Sequence, residues 1–289
     1  MKQVKSLIIL FFISIFSTSA VTASSPALWM FGDEDTKIYL FGTVHILEKD
    51  AAWGTPALKT AFDTADALIL EVSEEELKKA APLMAAAGKL PAGQTLRTTL
   101  GDGLYSDVSR QIGALNLPRN AFDQARPWFA TLSLGVLSTV RAGFDPNMGA
   151  DQMLLRMAKT KGKPVYGLET AEQQVAIFAQ FSPAEERQFV IDSLSQLQDI
   201  ATHTKNLQNA WLNGDVDTLD TLVNGAMETT PEFAKRALED RNRAWATILA
   251  DNLQSPGTFL VAVGAGHLVG DKSVQVYLND AGITVSRIQ

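Results

Sequence analysis

The sequence of 289 residues contains no cysteine. This absence excludes disulfides, thiol nucleophiles, thiolate metal ligands and a lipid-modified cysteine. Histidine is also scarce, because only three occur, and the 25 basic residues are outnumbered by 32 acidic ones. The chain therefore lacks the basic surface that nucleic-acid binding requires, and we expect no nucleic-acid partner.

Several familiar motifs are missing as well. There is no His-Glu-x-x-His, no Gly-x-Ser-x-Gly and no Gly-x-x-x-x-Gly-Lys, so the common zinc-protease, serine-hydrolase and P-loop templates do not apply. The three glycines Gly264, Gly266 and Gly270 superficially resemble a dinucleotide fingerprint. Too few residues follow them for a complete βαβ unit with its ribose-binding acid.

The one long apolar run stands at the amino terminus and is short for a membrane span. It covers residues 7–16, follows two lysines and precedes small residues that end at Ala23. A spanning helix needs roughly 20 apolar residues, so residues 1–23 are predicted to be a secretory signal peptide, cleaved near Ala23 or alternatively Ala20. A retained anchor is the weaker alternative. We expect a periplasmic or secreted protein without a stable membrane anchor, and loss of the two lysines changes the formal net charge from −7 to −9.

Residues 24–289 are predicted to form one α/β domain with a helical insertion. Apolar strand segments alternate with helical segments, and no low-complexity linker separates them. Strands are predicted at 27–31, 37–41, 67–72, 163–169, 258–263 and 284–288.

Two of the three histidines occupy the same local pattern, in which an apolar strand is followed by glycine, two residues and histidine. They are His45, after Gly42, and His267, after Gly264. A glycine at a strand end allows a sharp exit of the backbone. Open α/β sheets bind ligands at the carboxyl edge, so the two histidines are predicted to meet there.

Carboxylates occupy equivalent positions in two further strands, Glu71 and Glu169. Two imidazoles with one or two carboxylates suit a zinc, manganese, cobalt or ferrous ion. Such an ion would polarise a carbonyl and acidify its water, while the other carboxylate acted as general base. Without a metal, the same residues could perform acid–base chemistry.

Simpler interpretations exist for each residue. A single strand-end histidine is more often structural, but the duplicated motif favours a site. Glu71 and Glu169 could equally be charges at helix entries. His203 lies in a polar helical stretch and is predicted to be a solvated surface residue.

The segments 39–45 and 263–268 resemble the two signature segments of the TraB/PrgY/GumN family. Further blocks agree in family order over essentially the whole mature chain: 68–71, 126–128, 149–152, 162–170 and 241–245. The family includes the Tiki proteins, which are membrane-tethered metalloproteases that use manganese or cobalt. It is similar in fold to the erythromycin esterases and the haem-binding ChaN proteins.

The resemblance implies a mixed central sheet flanked by helices. It places His45 and His267 at the motif histidines, Glu71 and Glu169 at the acidic strand ends, and Arg241 with Asn242 as a polar pair on a late helix. Arg241 could then bind a carboxylate or stabilise an oxyanion, and an ordinary salt bridge is the alternative.

Three functions are suggested by these residues together with the resemblance. The leading hypothesis is a Tiki-like metal-dependent hydrolase of peptides or small molecules, in which His45, His267 and one glutamate hold Mn²⁺ or Co²⁺, with Zn²⁺ or Fe²⁺ as further options. The second is a metal-independent esterase with one histidine as general base. The third is a non-catalytic protein that binds a peptide or haem.

Overall fold

A computed structural model describes residues 25–289 of the chain. The predicted signal peptide lies outside the described residues. Among residues 25–289, no helix has both the length and the apolar character needed to cross a membrane.

A six-stranded mixed sheet forms the centre of the described chain, in the order β4-β3-β5-β2-β1-β6. The strands are β1 (Leu28–Gly32), β2 (Thr36–Thr43), β3 (Ala67–Val72), β4 (Val165–Glu169), β5 (Gly257–Gly264) and β6 (Ser286–Arg287). Strands β2, β5, β3 and β4 are parallel to one another, whereas β1 pairs antiparallel with β2 and β6. The carboxyl ends of the four parallel strands therefore share one edge of the sheet.

Helices surround the sheet and fill two long connections, one between β3 and β4 and one between β4 and β5. Within residues 25–289 they are α1 (Pro56–Thr64), α2 (Glu74–Ala87), α3 (Leu96–Ala114), α4 (Pro127–Arg141), α5 (Ala150–Lys161), α6 (Ala171–Ala179), α7 (Pro183–Leu197), α8 (Ile200–Leu212), α9 (Val216–Val223), α10 (Pro231–Ala234), α11 (Asp240–Asp251) and α12 (Val274–Asp280). The predicted α/β class with a mixed sheet and inserted helices is confirmed. The closer likeness to the erythromycin esterases and ChaN proteins stays a prediction.

Strand β3 shows why the sheet is covered on both faces. Its residues are almost all buried, as its continuous apolar run predicts. Leu68 and Leu70 belong to one apolar cluster, with helices α1, α5 and α8, while Ile69 belongs to a second cluster with α11 and α12. Both faces of the sheet are therefore core, and the carboxyl edge is where polar side chains collect.

Candidate active site

The two histidine motifs meet at the carboxyl edge of neighbouring strands. His45 follows β2, and His267 lies in the 3-10 turn Ala265–Leu268 that follows β5. Their strands pair in parallel, with Thr43 opposite Gly264. A Cβ atom built on Gly264 would lie 3.1 Å from Glu71 Oε1, 3.6 Å from His267 Cδ2 and 3.8 Å from His45 Nε2. Three of the four predicted ligands thus surround one small space.

The motif glycines are required for room and not for an unusual backbone conformation. Gly264 has φ −50° and ψ 134°, which other residues adopt readily. At Gly42 a Cβ would lie 3.1 Å from Ala265 Cα, so a side chain there would press the two motifs apart. The expectation that glycine is needed here for a sharp backbone exit is wrong. Glycine is needed because neighbouring atoms lie too close to leave room for a side chain.

His45 lies at the mouth of the site, with 62% of its side chain exposed, and its Nδ1 is 3.3 Å from Asp151 Oδ2. This contact directs Nε2 into the cleft. Burial by itself lowers the pKa of His45, but the hydrogen bond to Asp151 and the charges of Asp151 and Glu71 outweigh it, and the pKa is raised to about 9.

Asp151 is brought to His45 by the start of helix α5. The backbone N–H of Ala150 donates to Val44 O at 2.9 Å, which fixes the helix against the loop after β2. A Cβ on Gly149 would lie 2.3 Å from His45 O, so only glycine allows this approach. The segment 149–152 is one of the family-like blocks, yet Asp151 has no role in the predicted site.

Glu71 is held ionised by its neighbours. Its Oε1 accepts the backbone N–H of Gly264 at 2.7 Å, and its Oε2 accepts hydrogen bonds from Arg241 at 2.8 Å and Gln174 at 3.0 Å. Burial raises the pKa of this carboxyl, but its electrostatic interactions with His267, Arg241 and His45, together with the Gly264 N–H, lower it to about 2. Glu71 is therefore a carboxylate at every physiological pH.

Arg241 occupies the centre of the charge network and uses all five of its N–H groups. It binds both oxygens of Glu169 at 3.0 and 2.6 Å, Glu71 Oε2 at 2.8 Å, His267 Nε2 at 3.0 Å and Ala237 O at 2.7 Å. Its guanidinium also lies 4.6 Å from the centre of the Trp245 ring. No donor is left for a substrate carboxylate or oxyanion, so the structure shows the salt-bridge alternative for Arg241.

A π-helical turn, Lys235–Glu239, leads directly into α11 and Arg241. Such turns insert one residue per turn and occur often at functional sites. The carbonyl of Ala237, inside this turn, accepts the Arg241 side chain. The π-helical turn therefore helps to orient the guanidinium of Arg241 toward the sheet edge.

Asn242 and Arg241 together determine the state of His267, which is only 4% exposed. Asn242 Nδ2 donates to Lys272 O at 2.7 Å, so its Oδ1 faces His267 Nδ1 at 2.5 Å and accepts a hydrogen bond from the Nδ1–H. The Nε2 atom then accepts from Arg241. Burial, followed by the charge of Arg241, lowers the pKa of His267 to about 3, and the ring stays neutral.

These contacts occupy part of the predicted metal site with its four ligands. Arg241 engages both oxygens of Glu169 and the Nε2 of His267, so a guanidinium already supplies the positive charge there. Within the described residues, no group of three or more histidines and carboxylates has the spacing to hold a metal ion. Of the four predicted ligands, only His45 Nε2 and Glu71 Oε1 remain open among residues 25–289, and this pair does not fit the three-ligand site expected of a catalytic ion.

A cavity of about 190 Å³ opens onto this pair. Thr43, His45, Glu71, Asp151 and Gln174 all line it. The hydroxyl of Thr43 is buried and has no hydrogen-bond partner among the described residues. Thr43 and Gln174 are further site residues that the sequence does not single out, although Thr43 lies inside the first motif.

Outside this cluster, His203 lies on α8 and takes no part in the site described above. It is half-buried, and burial lowers its pKa. The prediction of a fully solvated surface residue is therefore only partly right.

Comparisons with known proteins identify the family. The TraB/PrgY/gumN family model matches residues 27–287. An uncharacterized protein, YbaP, from Escherichia coli is 28% identical over 81% of this chain and 84% of its own length. A metalloprotease TIKI homolog from Amphimedon queenslandica is 24% identical over 87% of this chain, but the match covers only 59% of that longer protein. No solved structure matches the chain. The chain belongs to the TraB/PrgY/gumN family.

Proposed function

We propose that the protein is a hydrolase of amide or ester bonds, with peptides as its first substrate class and His45 and Glu71 as its reacting pair. One observation carries the proposal. Two histidines and a glutamate, which lie at or just after the ends of three different strands, surround the space where a side chain at position 264 would lie. Perturbed titratable groups that converge in a cleft are typical of catalytic centres.

His45 supplies the proton transfer in this proposal. Its Nδ1 proton is held by Asp151, which leaves Nε2 free to remove a proton from water and return it to the leaving group. The raised pKa of about 9 means that the basic form increases as the pH rises toward 9. The ordered Asp–His pair corresponds to the orienting half of a catalytic triad, with water in place of the serine.

Glu71 and Thr43 have complementary roles. Among the described residues, the Oε1 atom of Glu71 accepts a hydrogen bond only from the Gly264 N–H, so it can also accept one from the attacking water and orient it. The unpartnered hydroxyl of Thr43 can donate to the carbonyl oxygen, whose negative charge grows during the attack. Arg241 and Asn242 act as positioning residues that hold Glu71 and His267.

Metal-dependent hydrolysis with Mn²⁺ or Co²⁺, or Zn²⁺ or Fe²⁺, is the second candidate. It is favoured by the similarity to the TIKI homolog and by the carboxylate behind His45, since metal-bound histidines usually have such a partner. A third ligand would have to come from His267, which Arg241 engages. We further propose that the protein acts in the periplasm or outside the cell, as its predicted signal peptide indicates.

The test is hydrolysis by the mature protein after metal removal. Chelator-treated and metal-analysed protein is assayed against peptide and ester libraries, with and without added manganese, cobalt and zinc. Turnover that survives chelation and is lost in His45→Ala supports acid–base catalysis by the chain itself. Turnover that requires an added ion overturns this mechanism in favour of the second candidate.

A further inference from the structure

Strand β4 forms one end of the central sheet. Its one side pairs with β3, and no strand among residues 25–289 pairs with its other side. Tyr166, in the middle of β4, is 57% exposed, and Gly167 is exposed as well. The edge is therefore open to solvent.

The backbone groups on the open side follow from the register. Leu68 N–H donates to Pro164 O at 3.0 Å, and Leu68 and Leu70 pair with Val165 and Gly167. In a parallel ladder alternate residues face the same neighbour, so the N–H and C=O groups of Val165 and Gly167 point away from β3. A row of unpaired backbone groups is a template for an extended peptide, which forms main-chain hydrogen bonds with it.

A cleft of about 280 Å³ between α6 and α11 runs beside this edge. Its lining includes the apolar side chains of Leu168 and Ile248, and also Glu169 and Arg241. Arg241 binds Glu71 as well. The side chain of Arg241 thus connects the cleft beside the open edge with the proposed reaction centre.

We propose that the open edge of β4 is a docking surface for an extended peptide, which adds to the sheet as a further strand and places apolar side chains in the adjoining cleft. This inference rests on the proposed hydrolase function. Three strand spacings, about 14 Å, separate an added strand from β5. The cleaved bond therefore lies about four residues from the segment paired with β4.

Peptides methylated at single backbone nitrogens test the docking. The best-cleaved decapeptide from a library screen is methylated one residue at a time. Methylation removes a main-chain hydrogen-bond donor and keeps the side chain. KM is expected to rise at least about tenfold at alternate positions, whose N–H groups face β4, and less than about threefold at the positions between them. Equal effects at neighbouring positions in a cleaved peptide would overturn the docking and leave the hydrolase proposal intact.

Amide hydrogen exchange provides the readout that is independent of catalysis. The His45→Ala variant, which is expected to be inactive, is mixed with a randomised decapeptide library, and amide exchange at Val165 and Gly167 is expected to slow. The Ile248→Arg variant, changed at an exposed side chain, is expected to lose this protection. Protection without any hydrolysis would support the docking while the proposed function fails, and an unchanged exchange rate at both residues would overturn the docking.

Discussion

Replacement of Gly264 by alanine tests the space at the centre of the site. The added methyl group would lie 3.1 Å from Glu71 Oε1 and 3.8 Å from His45 Nε2, so the carboxylate must move by a few tenths of an ångström. The backbone, at φ −50° and ψ 134°, accepts alanine without strain. The overpacking costs about 1–3 kcal/mol, and the reduced freedom of the unfolded chain returns about 0.4–1 kcal/mol.

The expected result is a folded variant with little activity. The net loss of unfolding free energy is about 0–2.6 kcal/mol. The methyl group would also occupy the space beside Glu71 Oε1 and His45 Nε2 that the attacking water needs, and a misplacement of the reacting water by about 1 Å lowers turnover on the order of 100-fold. Thermal unfolding and kcat are measured together. Gly54→Ala is the matched control, because it is a loop glycine with nothing within 4 Å of its Cβ position. A Gly264→Ala variant with kcat within threefold of the wild type would refute the assignment of this space as the reaction centre.

Four further results are expected. Arg241→Met should lower the unfolding free energy in urea by about 3–5 kcal/mol, because it leaves two buried carboxylates unpaired; a loss below about 1 kcal/mol would show that the network does not stabilise the fold. The pKa of His267 in the folded state, about 3, lies below its value in the unfolded chain, so the unfolded state binds the extra proton. The free energy of unfolding should therefore fall between pH 6.5 and 3 by up to about 1.4 kcal/mol per pH unit. Urea melts of His267→Phe in which stability falls with acid as steeply as in the wild type would contradict this. Ile69→Ala should lower the free energy of unfolding by about 2–5 kcal/mol through cavity formation, whereas His45→Ala, at an exposed side chain, should lower it by less than about 1 kcal/mol. Equal shifts in melting temperature for the two variants would show that His45 stabilises the core. Activity should rise with pH toward the His45 pKa of about 9, and a profile that peaks below pH 7 would exclude the basic form of His45 as the base.

The sheet was predictable because its strands are short apolar runs with clear ends. The predicted strand at 67–72 coincides with β3, and the expected strand at 258–263 lies within β5. The final strand is shorter than predicted, with only Ser286–Arg287 in place of 284–288. An edge strand has few partners, so the pattern of its residues defines its ends poorly.

The convergence of the motifs was also predictable, because parallel neighbouring strands end at one edge. The partners of each side chain were not. Asp151 comes from a helix start about a hundred residues away, and Arg241 from beyond a π-helical turn that no periodicity signals. The difference between the exposed His45 and the buried His267 depends on which helices cover the edge. For this reason His267→Ala should destabilise the fold.

The measurement that tests the central claim most directly compares the chelator-treated wild type with His45→Ala and Glu71→Gln over one library of peptides and esters, with circular dichroism as a check of folding. The account predicts at least one substrate that the wild type hydrolyses and that both folded variants hydrolyse at least about 1,000-fold more slowly. Equal rates in the wild type and the folded variants on every hydrolysed substrate would contradict it.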